Sequence, residues 1–154
     1  GKDLGLKIFG GRALMSMRLE KNWGAWTLDF RPDFTASESG LDLFINWDKD
    51  FLGKQVALKE KKNGPLKKLV TMTIESKDID VTGDEAIMKD GKCIGYITSG
   101  GFAHHVKKSI AMGYVPINFA KNGSELDVEI NGDLYKANVH LKPLYDPNGE
   151  KMRG

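Results

Sequence analysis

The second part of the chain is a series of short strands interrupted by glycine turns. From Leu66 onward, apolar residues recur with a period of two, which is typical of β-strands. Asp90-Gly91 and Asn131-Gly132 each separate two such stretches, and both dipeptides are typical of tight β-hairpins. The pattern predicts strands at 69–74, 85–88, 92–97, 109–115, 125–130 and 134–141. Short strands closed by glycine turns predict a small antiparallel barrel or jelly roll.

The first part of the chain is predicted to begin with a buried helix over 11–21. Arg18 shares the apolar face of this helix, one turn beyond Leu14 and Met15. A guanidinium among apolar side chains needs an anion or several carbonyl groups. The sequence leaves three alternatives for Arg18: an internal ion pair with Glu20 or Glu38, a side chain that extends to solvent, or contact with an anionic ligand.

Two further elements are expected before the strand-rich part. Alternating residues over 41–48 predict a strand, and 52–62 predicts an amphipathic helix with Leu52 and Val56 facing inward. The Asn63-Gly64-Pro65 stretch would end that helix. We therefore expect a domain boundary there, with one domain piece at 1–64 and a second domain at 65–154.

Composition and charge exclude several classes of protein. The net charge is only +2, from 23 basic and 21 acidic residues, so the sequence does not favour nucleic acid or a membrane surface as a partner. No apolar run approaches the roughly 20 residues that span a bilayer. Cys93 is the one cysteine, which favours a reducing, cytoplasmic location, and its apolar surroundings predict a small core residue.

The sequence offers no catalytic set of its own. The three histidines, His104, His105 and His140, lack zinc-site spacing. No nucleophile elbow and no dinucleotide-binding glycine loop is present. Thr98-Ser99-Gly100-Gly101 is predicted to be a tight turn at a barrel corner, with anion binding through its amides as the alternative. No residue is therefore assigned a catalytic role, and no metal site is expected.

Several ordered motifs resemble the aminomethyltransferase (glycine-cleavage T-protein) superfamily. The first is Arg-Ala-Leu-Met-Ser-Met-Arg-Leu-Glu-Lys at 12–21, followed by Trp23-Gly24-Ala25-Trp26 and Asp29. Further matching blocks, in the same order as in the family, lie at 38–41, 50–54, 94–101, 110–115 and 143–147. The Trp-rich turn and the tail resemble more closely the folate-binding region of dimethylglycine and sarcosine dehydrogenases or oxidases.

The resemblance implies both a fold and a cofactor. It implies the end of an α+β, ferredoxin-like folate-binding domain followed by a six-stranded β-barrel, and transfer of a one-carbon group from a small amine or sulfur compound to tetrahydrofolate. The family's catalytic aspartate and pterin-binding glutamate lie upstream of the segment that matches this chain. By resemblance, the candidate folate-binding residues are Arg18, Trp26, Asp29, Glu38 and Tyr145. For Trp23 and Trp26, core packing is the favoured alternative to ligand stacking.

The resemblance also implies that the chain comes from a longer protein, which is called the parent below. We expect the chain, which begins at Gly1, to be cut from a longer protein that contacts an upstream domain or subunit. A dehydrogenase parent would carry FAD in an upstream domain and, in a eukaryote, would lie in the mitochondrial matrix. The other interpretation is a non-catalytic β-barrel module for binding or assembly, because the catalytic carboxylate is missing and the first helix would need a partner to cover it.

Overall fold

The computed structural model describes residues 1–154 and consists of a closed barrel preceded by a helical segment. Its six strands are β1 (Lys67–Ile74), β2 (Ala86–Lys89), β3 (Lys92–Ala103), β4 (Lys108–Pro116), β5 (Glu125–Ile130) and β6 (Asp133–His140). The strand order around the barrel is β1-β4-β3-β2-β5-β6, and every pair is antiparallel. The predicted six-stranded antiparallel barrel is therefore confirmed.

The barrel interior holds the main core, because alternate residues of each strand point inward. Fourteen buried residues form this core, among them Met72, Ile87, Ile97, Val128 and Val139. The two predicted hairpins are present: Asp90 and Gly91 join β2 to β3, and Asn131 and Gly132 join β5 to β6, with positive φ at all four positions.

Three helices accompany the barrel: α1 (Gly11–Glu20), α2 (Lys54–Asn63) and the short α3 (Glu150–Arg153). Helix α1 lies on the outside of β3 and β4, where Leu19 packs with Ala103, Ile110 and Met112. None of the three helices is long and apolar enough to cross a bilayer.

The predicted burial of α1 is wrong for most of its length. Only Arg18, Leu19 and Glu20 are buried, whereas Leu14, Met15 and Met17 are exposed. The helix is buried against the barrel only at its C-terminal end, so its other apolar side chains are left largely uncovered by residues 1–154. Leu52 and Val56, predicted to face inward from the second helix, are exposed as well.

The predicted strand over 41–48 is also wrong. Asp42–Phe44 form a 3-10 helix, and the Phe44 and Ile45 N–H groups donate to the carbonyls of Leu41 and Asp42. An alternating pattern becomes a strand only where a neighbouring strand accepts its backbone hydrogen bonds. Every strand of the closed barrel already has two neighbours, so this segment forms local turns instead.

Two predictions within β3 are wrong. Gly100 and Gly101 do not form a turn but continue the strand to Ala103. Gly100 lies where a Cβ atom would meet the backbone oxygen of Val81 at 2.9 Å, so close chain approach explains this glycine. Cys93 is exposed rather than buried, because it lies beside the hairpin turn at the start of the strand.

Candidate functional site

The side chain of Asp29 is the centre of a buried polar network between the helical segment and the barrel. It is completely buried and accepts four hydrogen bonds. Its Oδ2 atom accepts from Arg18 Nη1 at 2.7 Å and from the Ala25 N–H at 2.8 Å. Its Oδ1 atom accepts from the hydroxyls of Thr98 and Ser99, the latter at 2.6 Å. All the acceptor positions of the carboxylate are thereby occupied by protein donors.

A β-bulge on β3 makes this arrangement possible. Consecutive residues of a regular strand point to opposite faces. Ile97 pairs with Gly113 and Ser99 pairs with Met112, so Thr98 is an extra residue in the ladder. The bulge bends the strand locally and lets the hydroxyls of both Thr98 and Ser99 reach the same carboxylate oxygen.

Arg18 forms the internal ion pair that the sequence left as one alternative, but its partner is Asp29 rather than Glu20 or Glu38. Its Nη1 atom also donates to the Trp23 carbonyl at 3.1 Å. The Nε and Nη2 atoms are buried and have no hydrogen-bond partner. Arg18 does not line any of the five best-defined clefts in the structure.

The loop that carries Asp29 also presents two tryptophans. Trp23 is 53% exposed and Trp26 is 76% exposed, so the interpretation of these residues as core packing is wrong. Trp26 contacts Phe30 edge to face, with ring centroids 5.5 Å apart. Part-buried hydrogen bonds hold the backbone of this loop: the Trp23 carbonyl accepts from Arg18, and the Ala25 N–H donates to Asp29. The loop is therefore anchored from below while its indole rings face outward.

Tyr114 on β4 connects Asp29 to the Glu38 turn. Its hydroxyl donates to the Asp29 backbone carbonyl at 2.9 Å and lies 2.7 Å from Ser39 Oγ. Burial raises the pKa of Tyr114 to about 12, because the phenolate would be poorly solvated, so the hydroxyl keeps its proton and serves as a donor. The Phe34 ring stacks on the Tyr114 ring, which adds a further contact between this turn and the barrel.

Glu38 is buried, but its side chain closes a turn. One carboxylate oxygen accepts from the Thr35 N–H at 3.1 Å, and the Thr35 hydroxyl accepts from the Glu38 N–H. This reciprocal arrangement is that of a capping box. The Glu38 backbone carbonyl also accepts from the Leu69 N–H at the start of β1.

Tyr145 lies beside the C-terminal end of α1. Its N–H donates to the Glu20 carbonyl at 3.0 Å, and its ring meets the His105 ring edge-on at 4.3 Å. The Glu20 carboxylate accepts from the N–H groups of His105 and Val106.

The residue after Tyr145 is also tied to α1, because Lys21 and Asp146 form an ion pair at 3.3 Å. Burial alone would raise the pKa of Asp146, but hydrogen bonds from Lys151 and Lys21 outweigh it and lower that pKa below its usual value.

Of the five candidate residues, the structure joins Arg18 and Asp29 directly and places Trp26 on the same loop as Asp29. Glu38 is linked to this network through its neighbour Ser39, whereas Tyr145 contacts a different part of α1.

Thr98, Ser99 and Tyr114, which are partners of Asp29, were not predicted from the sequence as its partners. Thr98-Ser99 was recognised as a possible anion-binding segment, and it does bind an anion, but through hydroxyls and to a carboxylate of the same chain.

This arrangement can position groups but offers no reactive group of its own. The Asp29 carboxylate is shielded from solvent and fully hydrogen-bonded, so it is not available as a general base for an external molecule. No three His, Cys, Asp or Glu side chains are grouped as a metal ion would require. The network instead joins the tryptophan loop, α1 and strands β3 and β4 into one unit.

Comparison with known families identifies the barrel. Residues 67–146 match the family model described as the glycine cleavage T-protein C-terminal barrel domain. The chain belongs to this family. The match begins at the first residue of β1 and ends six residues beyond β6, so it contains every strand of the barrel.

The chain is similar to part of several longer proteins. The chain is 38% identical to dimethylglycine dehydrogenase, mitochondrial, from Rattus norvegicus, over 94% of this chain and 17% of that protein. It is 34% identical to sarcosine dehydrogenase, mitochondrial, from Mus musculus, over 100% of this chain and 18% of that protein. It is also 36% identical to an aminomethyltransferase from Synechocystis, over 90% of this chain and 37% of that protein.

A solved structure has the same fold. Aminomethyltransferase T of the glycine cleavage system from Bartonella henselae superposes with a TM-score of 0.84 and 27% sequence identity. The superposition covers 94% of this chain and 41% of that one, so it includes the helical segment as well as the barrel. The chain spans less than a fifth of the length of the dehydrogenases that it matches.

Proposed function

We propose that this chain is the C-terminal part of a tetrahydrofolate-dependent one-carbon transfer enzyme, with a parent similar to dimethylglycine or sarcosine dehydrogenase. The observation that carries the proposal is that its similarity to those dehydrogenases extends over 94% to 100% of the chain, well beyond the barrel. The motifs in the helical segment, including the Arg18–Asp29 pair, therefore belong to the shared part. Under this proposal the substrate of the parent is a small methylated amine.

The domain division follows from the same proposal. Residues 1–64 form the end of an α+β folate-binding domain, and residues 65–154 form the C-terminal barrel domain. In support, α2 ends at Asn63 and β1 begins at Lys67, with only three residues between them. The buried Asp29 network then lies across the junction and fixes the two domains to each other.

The residues present fit tetrahydrofolate unequally. A flat pterin ring needs an aromatic or apolar face, and the exposed indole of Trp26 supplies one. The folate glutamate tail needs an accessible cation, whereas the free nitrogens of Arg18 are buried. We therefore assign Trp26 a direct contact in the parent, and Arg18 and Asp29 the role of holding the loop that carries it. Glu38 and Tyr145 support the neighbouring turn and the tail.

The reacting groups are assigned to the upstream part of the parent. Tetrahydrofolate supplies the acceptor for the one-carbon group, and FAD in an upstream domain would supply oxidation of the methylated amine. This chain contributes one wall of the folate chamber and excludes water from it, which matters because water would compete for the activated one-carbon group. In a eukaryote, such a parent is expected in the mitochondrial matrix.

Calorimetric titration of the whole parent protein with tetrahydrofolate tests the proposal. We expect saturable binding that Trp26→Ala weakens by about 0.5–1.5 kcal/mol, or roughly 2- to 13-fold, as a lost aromatic contact would. Phe51→Ala, in an exposed turn on another segment, is the matched control and should leave the affinity unchanged. Absence of tetrahydrofolate binding by the parent would contradict the proposed function.

A specific observation also favours the second candidate function, a non-catalytic binding or assembly module. The segment before the barrel exposes a run of large apolar side chains, namely Leu4, Leu6, Ile8, Phe9, Leu14, Met15 and Met17. A surface of this kind is typical of a contact with another domain or subunit. Under this alternative, the parent would lack folate binding but would still require this segment for assembly.

A further inference from the structure

Four asparagines of the chain are each followed by glycine, at 63–64, 122–123, 131–132 and 148–149, and all four asparagines are exposed. The side-chain amide of an asparagine has a carbonyl carbon that the backbone nitrogen of the next residue can attack. A glycine at that next position has no Cβ atom to obstruct the approach. The four pairs share this local chemistry, so a large difference between them must come from the fold.

In three of the four pairs, the fold restrains the glycine nitrogen. Each of these N–H groups donates to a backbone carbonyl at 2.7–3.0 Å: Gly64 to Glu60, Gly123 to Val139 and Gly149 to Asp146. Two of the asparagine side chains are restrained as well, since Asn122 Oδ1 accepts from the Leu141 N–H and Asn148 Nδ2 donates to the Glu150 carboxylate. These hydrogen bonds must break before the two groups can meet, which raises the barrier to reaction.

The pair at the tip of the β5–β6 hairpin is the exception. Asn131 and Gly132 are the two residues of the turn, and the ladder closes at the pair formed by Ile130 and Asp133. The Gly132 N–H therefore lies outside the ladder and donates to no group of the chain. The Asn131 side chain makes no hydrogen bond either, and both residues are exposed at a loop tip, where local opening costs least.

We propose that Asn131 is a site of spontaneous deamidation, which the folded chain modifies ahead of its other three Asn-Gly pairs. The Gly132 backbone nitrogen attacks Asn131 Cγ, and the new N–Cγ bond closes a succinimide ring. The Cγ–Nδ2 bond breaks, and the amide nitrogen leaves as ammonia together with the proton from the Gly132 nitrogen. Water then adds to either carbonyl of the ring and opens it, which leaves aspartate or isoaspartate at position 131. The inference concerns the barrel alone and does not rest on the proposed function.

The products change the hairpin tip in charge and in length. Either product adds a negative charge beside Asp133 and two residues from Glu129. Isoaspartate also carries the main chain through its side-chain carbon, which adds one atom to a turn whose length sets the register of β5 against β6. The isoaspartate form should therefore be less stable than the unmodified chain.

The test incubates the 154-residue chain in a mildly alkaline buffer, both folded and in concentrated guanidinium chloride, and follows each Asn-Gly pair by peptide digestion and mass spectrometry. In the folded chain, we expect Asn131 to convert at least about tenfold faster than each of the other three, because only those three must first lose a hydrogen bond. In guanidinium chloride these hydrogen bonds are absent, so the four rates should converge. The comparison is internal to one chain and does not depend on the folding of any variant.

Thermal unfolding then separates the effect of turn length from that of charge. A chain incubated until isoaspartate accumulates should unfold at a lower temperature than Asn131→Asp, which has the same charge and a main chain of normal length. Conversion at Asn63, Asn122 or Asn148 that is as fast as at Asn131 in the folded chain would overturn the proposal. An equally strong preference for Asn131 in guanidinium chloride would also overturn it, because the fold would then not be the cause.

Discussion

At Asp29, one carboxylate accepts hydrogen bonds from three segments of the chain, namely α1, its own loop and the bulge of β3, and Tyr114 of β4 donates to the backbone carbonyl of the same residue. The donors from Arg18, Thr98 and Ser99 to the carboxylate are buried, so each would lose a partner in a low-dielectric environment if the carboxylate were absent. We infer that Asp29 is the residue on which the attachment of the helical segment to the barrel most depends.

Removing the charge at Asp29 should therefore destabilise the chain strongly. We expect Asp29→Asn to lower the free energy of unfolding by about 3–5 kcal/mol, because Arg18 would remain as an unpaired buried charge. Asp33→Asn is the control, since the Arg31–Asp33 pair is exposed and such pairs contribute less than about 1 kcal/mol. Urea denaturation measures both values, and equal effects of the two substitutions would contradict this role for Asp29.

His140 predicts a dependence of stability on pH. Burial, together with the nearby Lys108 charge, lowers the pKa of His140 below 6.5. The unfolded chain then binds a proton at higher pH than the folded chain does, so the free energy of unfolding should fall as the pH decreases from about 6.5 towards the lower pKa of the folded state. Above about 6.5, this contribution to stability is fully present.

The measurement is urea denaturation at a series of pH values, with His140→Gln as the comparison. The variant keeps a side chain that can bond to Thr73 but cannot titrate, so its stability should decline less steeply than that of the natural chain below about pH 6.5. His104 and His105 remain in both proteins and cancel in the difference. An identical pH dependence in the two proteins would contradict the assignment.

Among the strands, β4 is the most completely buried. All but two of its nine residues are buried, and a Cβ atom at Gly113 would lie 2.7 Å from the Tyr96 carbonyl oxygen and 2.9 Å from Ile87 Cδ1. The hydrogen-bonded ladder fixes that carbonyl, so the contact has little room to relax. A glycine fits this position because there is no room for a Cβ atom, and the backbone conformation does not itself require one.

Gly113→Ala should consequently destabilise the barrel by about 1–3 kcal/mol, the usual cost of overpacking. Gly11→Ala is the matched control, because a Cβ atom there meets nothing within 4 Å and the residue begins α1. Alanine favours helix, so the control should be neutral or stabilising by up to about 1 kcal/mol. Thermal unfolding compares the two variants, and a Gly113→Ala chain as stable as the control would show that the barrel can move apart at this point.

The elements also show what the sequence could and could not predict. The Asp90-Gly91 and Asn131-Gly132 hairpins were predictable because tight turns leave a local signature. The 41–48 strand was not, because whether an alternating segment pairs depends on the free strand edges of a sheet formed far away. The bulge at Thr98 could likewise not be predicted from the sequence, because it depends on the register between β3 and β4.

Similar reasoning applies to the site residues. For the arginine on an apolar helix face, an internal ion pair was one of three alternatives. The ion pair forms, but with neither Glu20 nor Glu38, because Asp29 reaches Arg18 only after the tryptophan loop folds back. For Trp23 and Trp26, core packing was favoured over ligand stacking, yet both are exposed. Their exposure depends on which surfaces the rest of the chain covers, and a local sequence pattern cannot predict that.

On the scale of the whole molecule, the barrel and the helical segment differ in how well they are covered. The barrel has a continuous buried core, whereas Ile8, Leu14 and Met17 on the helical side are exposed. If these residues face an upstream domain in the parent, the isolated chain should show an accessible apolar surface.

We therefore expect the 154-residue chain to bind an apolar fluorescent dye, and Leu14→Gln combined with Met17→Gln to reduce that binding by more than half. Leu134→Gln, at an exposed leucine on β6, is the control and should have little effect. Dye fluorescence is compared at equal protein concentration, with size-exclusion chromatography to record self-association. A monomeric chain without dye binding would argue against the docking role of α1.

We propose that the anchored tryptophan loop forms one wall of a folate chamber. Hydrogen–deuterium exchange of the whole parent protein, with and without tetrahydrofolate, tests it most directly. We expect tetrahydrofolate to slow exchange of the amides in residues 22–30 and to leave the barrel hairpins at 89–92 and 130–133 unaffected. Tetrahydrofolate binding that leaves exchange in residues 22–30 unchanged would contradict the claim.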